Sequence, residues 1–360
     1  MNDLRTMLTF EDVLLEPGYS DIASRSEIDL ATEFLGLNFR LPIISANMSN
    51  VTEYDMASVM TEQGAFYVVH RFMDDEQLYD LFDAFLMHFG PTKGRISFSV
   101  GVRDPEHEME KVKTIAGFAG GILGELTVTV DTAQGHHQRV ADMIKRLKDF
   151  GVQRVIAGNI ATPEGYDFLE EAGADAIKVG IGPGAACTTR EVTGVGVPQL
   201  SAIIDIDKQC RVPIYEGITG RLRTKLGPPV IADGGMKNSG DIVKALAAGA
   251  DMVMLGSLFA GTDDAPGETR LDIRGKMWKR FNGNSIFGSN ALDYTPEGVE
   301  GWVEAKGPVG AVLARLEAGI RSGCSYVGAR NLQELRKKAK FIQITQAGYQ
   351  IESAVRVTVD

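Results

Sequence analysis

Hydrophobic residues fall along the chain in short, nearly continuous runs. Eight can be counted: Pro42–Met48, Gly64–Val69, Ile96–Val102, Leu126–Thr132, Arg154–Ile160, Asp175–Ile181, Pro229–Gly235 and Asp251–Ser257. Each is followed by a polar or glycine-containing loop and then by helical spacing, as in Glu53–Glu62, Glu106–Phe118, His137–Phe150, Pro163–Ala172 and Asn238–Ala248. Strands that are apolar on both faces must be covered on both faces, which predicts a parallel sheet clad in helices. Eight β–α units suffice for an α/β fold of the (β/α)8 TIM-barrel type, with a doubly wound sheet as the fallback. The phrases EAGAD (Glu171–Asp175) and AAGAD (Ala247–Asp251) each put a glycine at a helix exit just before a strand, an internal echo that supports repeated units.

Two segments do not fit the repeat, and a helix and tail follow them. Residues 205–228 exceed the usual connection of about 2–6 residues and enter strand seven from the N-terminal face of the barrel, which suggests an insertion serving assembly or regulation. Residues 281–301 are rich in glycine and asparagine and read as a mobile active-site flap. Pro308–Ala329 predicts one more helix, and residues 330–360 form a C-terminal tail with a strand-like stretch over Lys337–Val359. Residues 1–360 are thus expected to make a single barrel domain.

Composition narrows the class. With 44% hydrophobic and 24% charged residues the chain can bury a sizeable core. A formal charge of −11 argues against nucleic acid or an anionic membrane as partner, leaving small ligands bound in a local pocket. Three cysteines, Cys187, Cys210 and Cys324, make no disulfide framework, and a reducing, cytoplasmic setting is expected. The 41 glycines follow no collagen period and should mark turns where backbone passes close to something.

Barrel active sites lie at the C-terminal ends of the strands. After strand six comes Gly182-Pro-Gly184-Ala-Ala-Cys187-Thr-Thr189-Arg190. Its glycines let backbone amides crowd an anion, and a cysteine there either attacks an electrophilic carbon as thiolate or packs as a small hydrophobe. Strands seven and eight end in Asp233-Gly234-Gly235 and Leu255-Gly256-Ser257, which read as a sugar-phosphate pocket or as tight turns. Asp233 is suited to accept from ribose hydroxyls. Asp131, Asn159 and the His70-Arg71 pair share the rim as ligand contacts or structural hydrogen-bonding groups. His136 and His137 point apart, and no carboxylate lies at metal-site spacing. Lys178, inside strand six, reads as a Schiff-base lysine or, more blandly, a lysine paired in the barrel interior.

These residues resemble the family of IMP dehydrogenases and GMP reductases over nearly the whole chain. Leu8–Pro17 (LTFEDVLLEP), Ser24–Leu30, Pro42–Met48, Gly180–Ala202, the IADGG run ending at Gly235 and VMLGSLFAG carry the resemblance. It implies a (β/α)8 barrel, a homotetramer, and a covalent bond from Cys187 to C2 of a purine nucleotide monophosphate; no CBS pair of the kind common in the dehydrogenases interrupts the barrel, which favours the reductase. It further implies that Thr189 and Glu297 handle protons, Asp233 binds ribose, and Gly184, Gly234, Gly235, Gly256 and Ser257 surround the phosphate. Met48 would contact the base, and Arg71, Asp131 and Asn159 would border the nicotinamide cofactor. A potassium ion at the carbonyls of Gly182, Gly184 and Cys187 is a further implication.

The resemblance implies either of two reactions. A GMP reductase removes ammonia from GMP and takes hydride from NADPH to give IMP; an IMP dehydrogenase oxidises IMP to XMP with NAD and water. The reductase is expected here, with NADPH, or NADH or NAD in its place. SRSEIDL, SANM and GIRSGCSYVGA are reductase-like, and Phe281–Pro296 has no arginine and only Tyr294 where the dehydrogenases carry an Arg-Tyr pair that activates water. PEGVEG and LRKKAKFIQIT look as much like dehydrogenase, and Ala185 and Ser49 depart from the usual serine and aspartate. A nucleotide-binding regulator that has lost turnover is the third alternative.

Overall fold

A computed structural model describes residues 4–90, 96–118, 126–210, 213–215, 222–224, 227–283 and 297–345. Eight parallel strands form one sheet: β1 (Ile43–Ser45), β2 (Phe66–Tyr67), β3 (Ile96–Val100), β4 (Leu126–Asp131), β5 (Arg154–Ile160), β6 (Ala176–Val179), β7 (Val230–Asp233) and β8 (Met252–Leu255). Each falls within one of the eight predicted runs. β8 pairs back onto β1 in parallel. The remaining seam, between β2 and β3, is bridged just past β2, where Val69 N–H donates to the Ser97 carbonyl (3.0 Å) and Ser99 N–H to the Val69 carbonyl (2.9 Å). The sheet therefore closes into a TIM barrel.

The cladding helices are α1 (Tyr54–Glu62), α2 (Asp75–Phe89), α3 (Pro105–Phe118), α4 (Gln138–Phe150), α5 (Pro163–Glu171), α6 (Gln199–Cys210), α7 (Ser239–Ala247) and α8 (Val309–Val327). Their starts follow the sequence. Thr162 caps α5 by accepting from Gly165 N–H with Pro163 in the first turn, and Asn238 caps α7 by accepting from Asp241 N–H. In α2, Leu78, Leu81, Phe82 and Phe85 form the buried stripe and Asp74 with Gln77 closes a capping box.

The echoed GAD triplets turn out to be a joint. Gly173 and Gly249 leave their helices with φ of +96° and +124°, and the acid two residues later reaches sideways. An Asp175 oxygen accepts from Val155 N–H of β5 (2.6 Å) and an Asp251 oxygen from Val230 N–H of β7 (2.8 Å). Each acid thus satisfies an amide at the start of the neighbouring strand, and Lys148 and Arg336 neutralise them.

Outside the barrel, Thr269–Leu271, Met277–Asn282 and Glu300–Glu304 form a three-stranded antiparallel sheet that the run pattern did not predict. It holds both ends of the expected flap, whose residues 284–296 lie outside the described residues. In the 205–228 segment, residues through Cys210 complete α6, and Pro213–Tyr215 pairs antiparallel with Leu222–Thr224. The tail begins as a helix, α9 (Leu332–Lys338), before Phe341–Gln343 pairs antiparallel with Val13–Leu15; residues 346–360 of the strand-like reading lie outside the described residues. Among the described residues no helix is long and apolar enough to cross a membrane.

Candidate active site

A cavity of about 700 Å³ opens at the C-terminal rim, within the usual range for small-ligand sites. All the predicted site residues line it. Cys187, Thr189, Glu297, Gly182 and Gly184 form one wall; Asp233, Gly234, Gly235, Gly256 and Ser257 come from the ends of β7 and β8; Met48, Arg71, Asp131 and Asn159 come from the ends of β1, β2, β4 and β5. A second cavity, of about 550 Å³, lies at the opposite face among Glu33, Arg154, Asp175, Asp207 and Gly227–Val230, and contains none of these residues.

The cysteine loop is held by short-range and long-range pairing together. Cys187 N–H donates to the Gly184 carbonyl (3.1 Å), turning the chain so that a one-turn helix starts at Thr189. The loop then pairs with a segment far along the chain: Thr188 N–H donates to the Glu297 carbonyl (2.9 Å) and Val299 N–H to the Ala186 carbonyl (3.1 Å). That pairing delivers Glu297. The Cys187 thiol lies 3.1 Å from Thr189 Oγ1, and the Thr189 hydroxyl donates to Glu297 Oε2 at 2.6 Å. A hydroxyl that both accepts and donates can pass a proton between the cavity and the carboxylate.

The interior below the rim is polar. Lys178 Nζ lies 3.2 Å from Asn47 Oδ1 and 3.3 Å from both Asp131 Oδ1 and Asp233 Oδ2. Burial works against charge here, yet the ammonium of Lys178 and the guanidinium of Arg71 hold Asp131 below the ordinary carboxylate range. Burial likewise opposes the charge on Lys178, but Asp233 and Asp131 outweigh it and raise the lysine above its ordinary value. Asn159 Nδ2 donates to Asp233 Oδ2 (2.9 Å) and to the Gly180 carbonyl (2.9 Å).

Residues that sequence reasoning passed over include Arg190, Gln199 and Lys306. Arg190 donates to the Val197 carbonyl (2.6 Å) and packs against both Gly182 and Gly196, tying the two ends of the loop together. Gln199 donates to the carbonyls of Val179 (2.8 Å) and Asp233 (3.2 Å), joining β6 to β7 below the pocket. Lys306 donates to the Ser257 carbonyl (2.5 Å), placing a partly buried cation behind the turn after β8; burial pulls it below its ordinary value. Gln199 and Lys306 stand far from their partners in sequence, so spacing carried no signal for them.

Other candidates resolve into structure. Lys178 takes the paired-interior reading. His70 is buried between Glu53 Oε1 (3.2 Å) and Phe72 N–H (3.2 Å). His137 caps α4 by accepting from Arg139 N–H, and the His136 ring packs on Phe168. Among the described residues no three His, Cys, Asp or Glu side chains group as a metal site. Of the three carbonyls read for potassium, that of Gly184 accepts the Cys187 amide (3.1 Å).

Fold and site define a (β/α)8-barrel protein with a cysteine–threonine–glutamate chain at its mouth. The sequence profile of the "IMP dehydrogenase / GMP reductase domain" matches residues 7–356, and the chain belongs to that family. It is 44% identical to an inosine-5'-monophosphate dehydrogenase of Aquifex aeolicus over 71% of this chain and 51% of that protein. A second dehydrogenase, from Chlorobaculum parvum, is 46% identical with the same coverage. A GMP reductase of Staphylococcus carnosus is 37% identical over 91% of this chain and 94% of its own length. The chain thus spans about half the length of the two dehydrogenases and nearly all of the reductase.

Proposed function

We propose that the chain is a purine nucleotide oxidoreductase of the GMP reductase kind, converting GMP to IMP and ammonia with NADPH. The observation that carries this reading is the chain Cys187–Thr189–Glu297, a nucleophile with a proton path beside it. The glycine turns after β7 and β8 receive the phosphate, Asp233 accepts from the ribose hydroxyls, and Met48, which packs against Gly256, lies beside the base.

Cys187 Sγ, as thiolate, bonds to C2 of the purine. The 2-amino group then leaves as ammonia, and Thr189, backed by Glu297, delivers the proton that its nitrogen needs. NADPH, when bound, supplies a hydride to C2, and the C2–sulfur bond breaks to release IMP and restore the thiolate. Asn159 Oδ1, buried without a hydrogen-bond partner among the described residues, suits the amide of a nicotinamide. Arg71 and Asp131, 3.5 Å apart on the same side, would flank it.

Purified protein incubated with GMP and NADPH should lose NADPH absorbance while releasing ammonia and IMP in equal amounts. NADPH loss without ammonia, or nucleotide binding with no turnover, overturns the reductase reading. The higher identity to dehydrogenases supports a second reading, IMP oxidation with NAD. That reaction needs a base for water, and residues 281–296 contain no arginine to pair with Tyr294. Formation of XMP from IMP and NAD would establish it.

A further inference from the structure

Lys178 rises from β6 into the barrel, is 2% exposed, and ends among side chains carried by three other strand ends. Its Nζ lies 3.3 Å from Asp131 Oδ1 at the end of β4 and 3.3 Å from Asp233 Oδ2 on β7, so these two oxygens are no more than twice that distance apart. Asn47 Oδ1, from the end of β1, takes a third position at 3.2 Å, and its amide donates to Ser99 Oγ of β3. The other charged group in this set is Arg71, on the far side of Asp131; Asn159 holds Asp233 from β5. The stem is confined as well. A Cβ on Gly158 of β5 would lie 2.6 Å from Lys178 Cβ, so the strand passes directly against the lysine.

The two acids have different work in the reading above, Asp233 toward the nucleotide ribose and Asp131 toward the cofactor. We propose that Lys178 is a positioning residue that ties these acids into one electrostatic unit, so that neither ligand subsite can be altered without disturbing the other. The inference rests on the nucleotide-binding reading. A buried charge without its partner is costly, and with the ammonium gone each acid disfavours the charged form of the other, Asp131 keeping only the Arg71 guanidinium. Loss of the ammonium would therefore damage ribose binding through an acid that touches only the cofactor side, and removal of that second acid would repair it.

Calorimetric titration with GMP tests this without turnover. Lys178→Met should weaken GMP binding by about tenfold, with Lys178→Arg losing less because the charge remains. Binding by the Met variant should also acquire a dependence on pH that the wild type lacks, since loss of the ammonium raises the affinity of the acid pair for protons. The decisive variant is Lys178→Met with Asp131→Asn, which removes one acid along with the ammonium and should bind GMP more tightly than Lys178→Met alone. GMP affinity of Lys178→Met within about twofold of wild type, or a double variant no tighter than the single, overturns the inference while leaving the nucleotide reading intact. If Lys178→Met does not fold, the charge-balanced double variant decides alone: folded and binding GMP it supports the coupling, unfolded or non-binding it overturns it. Wild-type protein that binds neither GMP nor IMP overturns the nucleotide reading and this inference with it.

Discussion

Cys187 and Cys324 show how placement decides what one residue type can do. Cys324 lies inside α8, and burial pushes its thiol up to about 11, which leaves it protonated and inert. Cys187 sits at the cavity wall with its sulfur on a threonine hydroxyl. A Cys187→Ala variant should lose NADPH oxidation down to background while keeping GMP affinity within a few fold, as read by stopped assays and calorimetry. Glu297 is separable from it. Glu297→Gln keeps a hydrogen bond to Thr189 but cannot exchange the proton, so kcat should fall by roughly 10²–10⁴ with little change in the KM for GMP. Cys187 and Thr189 were legible because a glycine-rich loop after a strand places them at the rim. Glu297 was reachable only through family resemblance, because backbone pairing across more than a hundred residues brings it in. The three partners of Lys178 were hidden for the same reason: contacts across a barrel interior join strands that sequence spacing cannot align.

At the scale of elements the run pattern was informative wherever burial is complete. All eight barrel strands lie within predicted runs, because strands covered on both faces must be apolar throughout. The three-stranded sheet went unread since its strands make no continuous apolar run: Thr269–Leu271 is exposed along its length, and Met277–Asn282 is interrupted by the charged pair Lys279 and Arg280. The loop after β6 shows how closely neighbouring elements are fitted. Gly180 has φ +152°, and a Cβ there would sit 2.1 Å from the Asp233 carbonyl oxygen. No side chain can be accommodated unless β6 and β7 separate, and their ends carry the cysteine loop and Asp233. Gly180→Ala should therefore lower the melting temperature and, in whatever fraction folds, weaken GMP binding. Calorimetry on the folded fraction would show unchanged affinity if the two strand ends move independently.

For the whole molecule, the charge that matters to stability is not the net −11 of the chain but the buried group at the barrel's centre. Asp131 is held below its ordinary value despite burial, and Lys178 above its own. A carboxyl depressed in the folded state contributes stability that is present above its unfolded value, about 3.9, and is lost as pH falls through the lower folded value. A lysine raised in the folded state contributes stability that is present below about 10.4 and is lost as pH rises through the higher folded value. Both contributions are intact across the neutral range, so chemical denaturation should show no slope from this group between about pH 5 and 9. Lys178→Met acts in the opposite direction on the acid side. Without the ammonium the folded acid pair binds protons more readily than in the wild type, so stability should fall relative to the wild type as pH increases. A denaturation midpoint for Lys178→Met that stays level relative to wild type from about pH 5 to 8 would mean that solvent or another cation takes over the role of the ammonium.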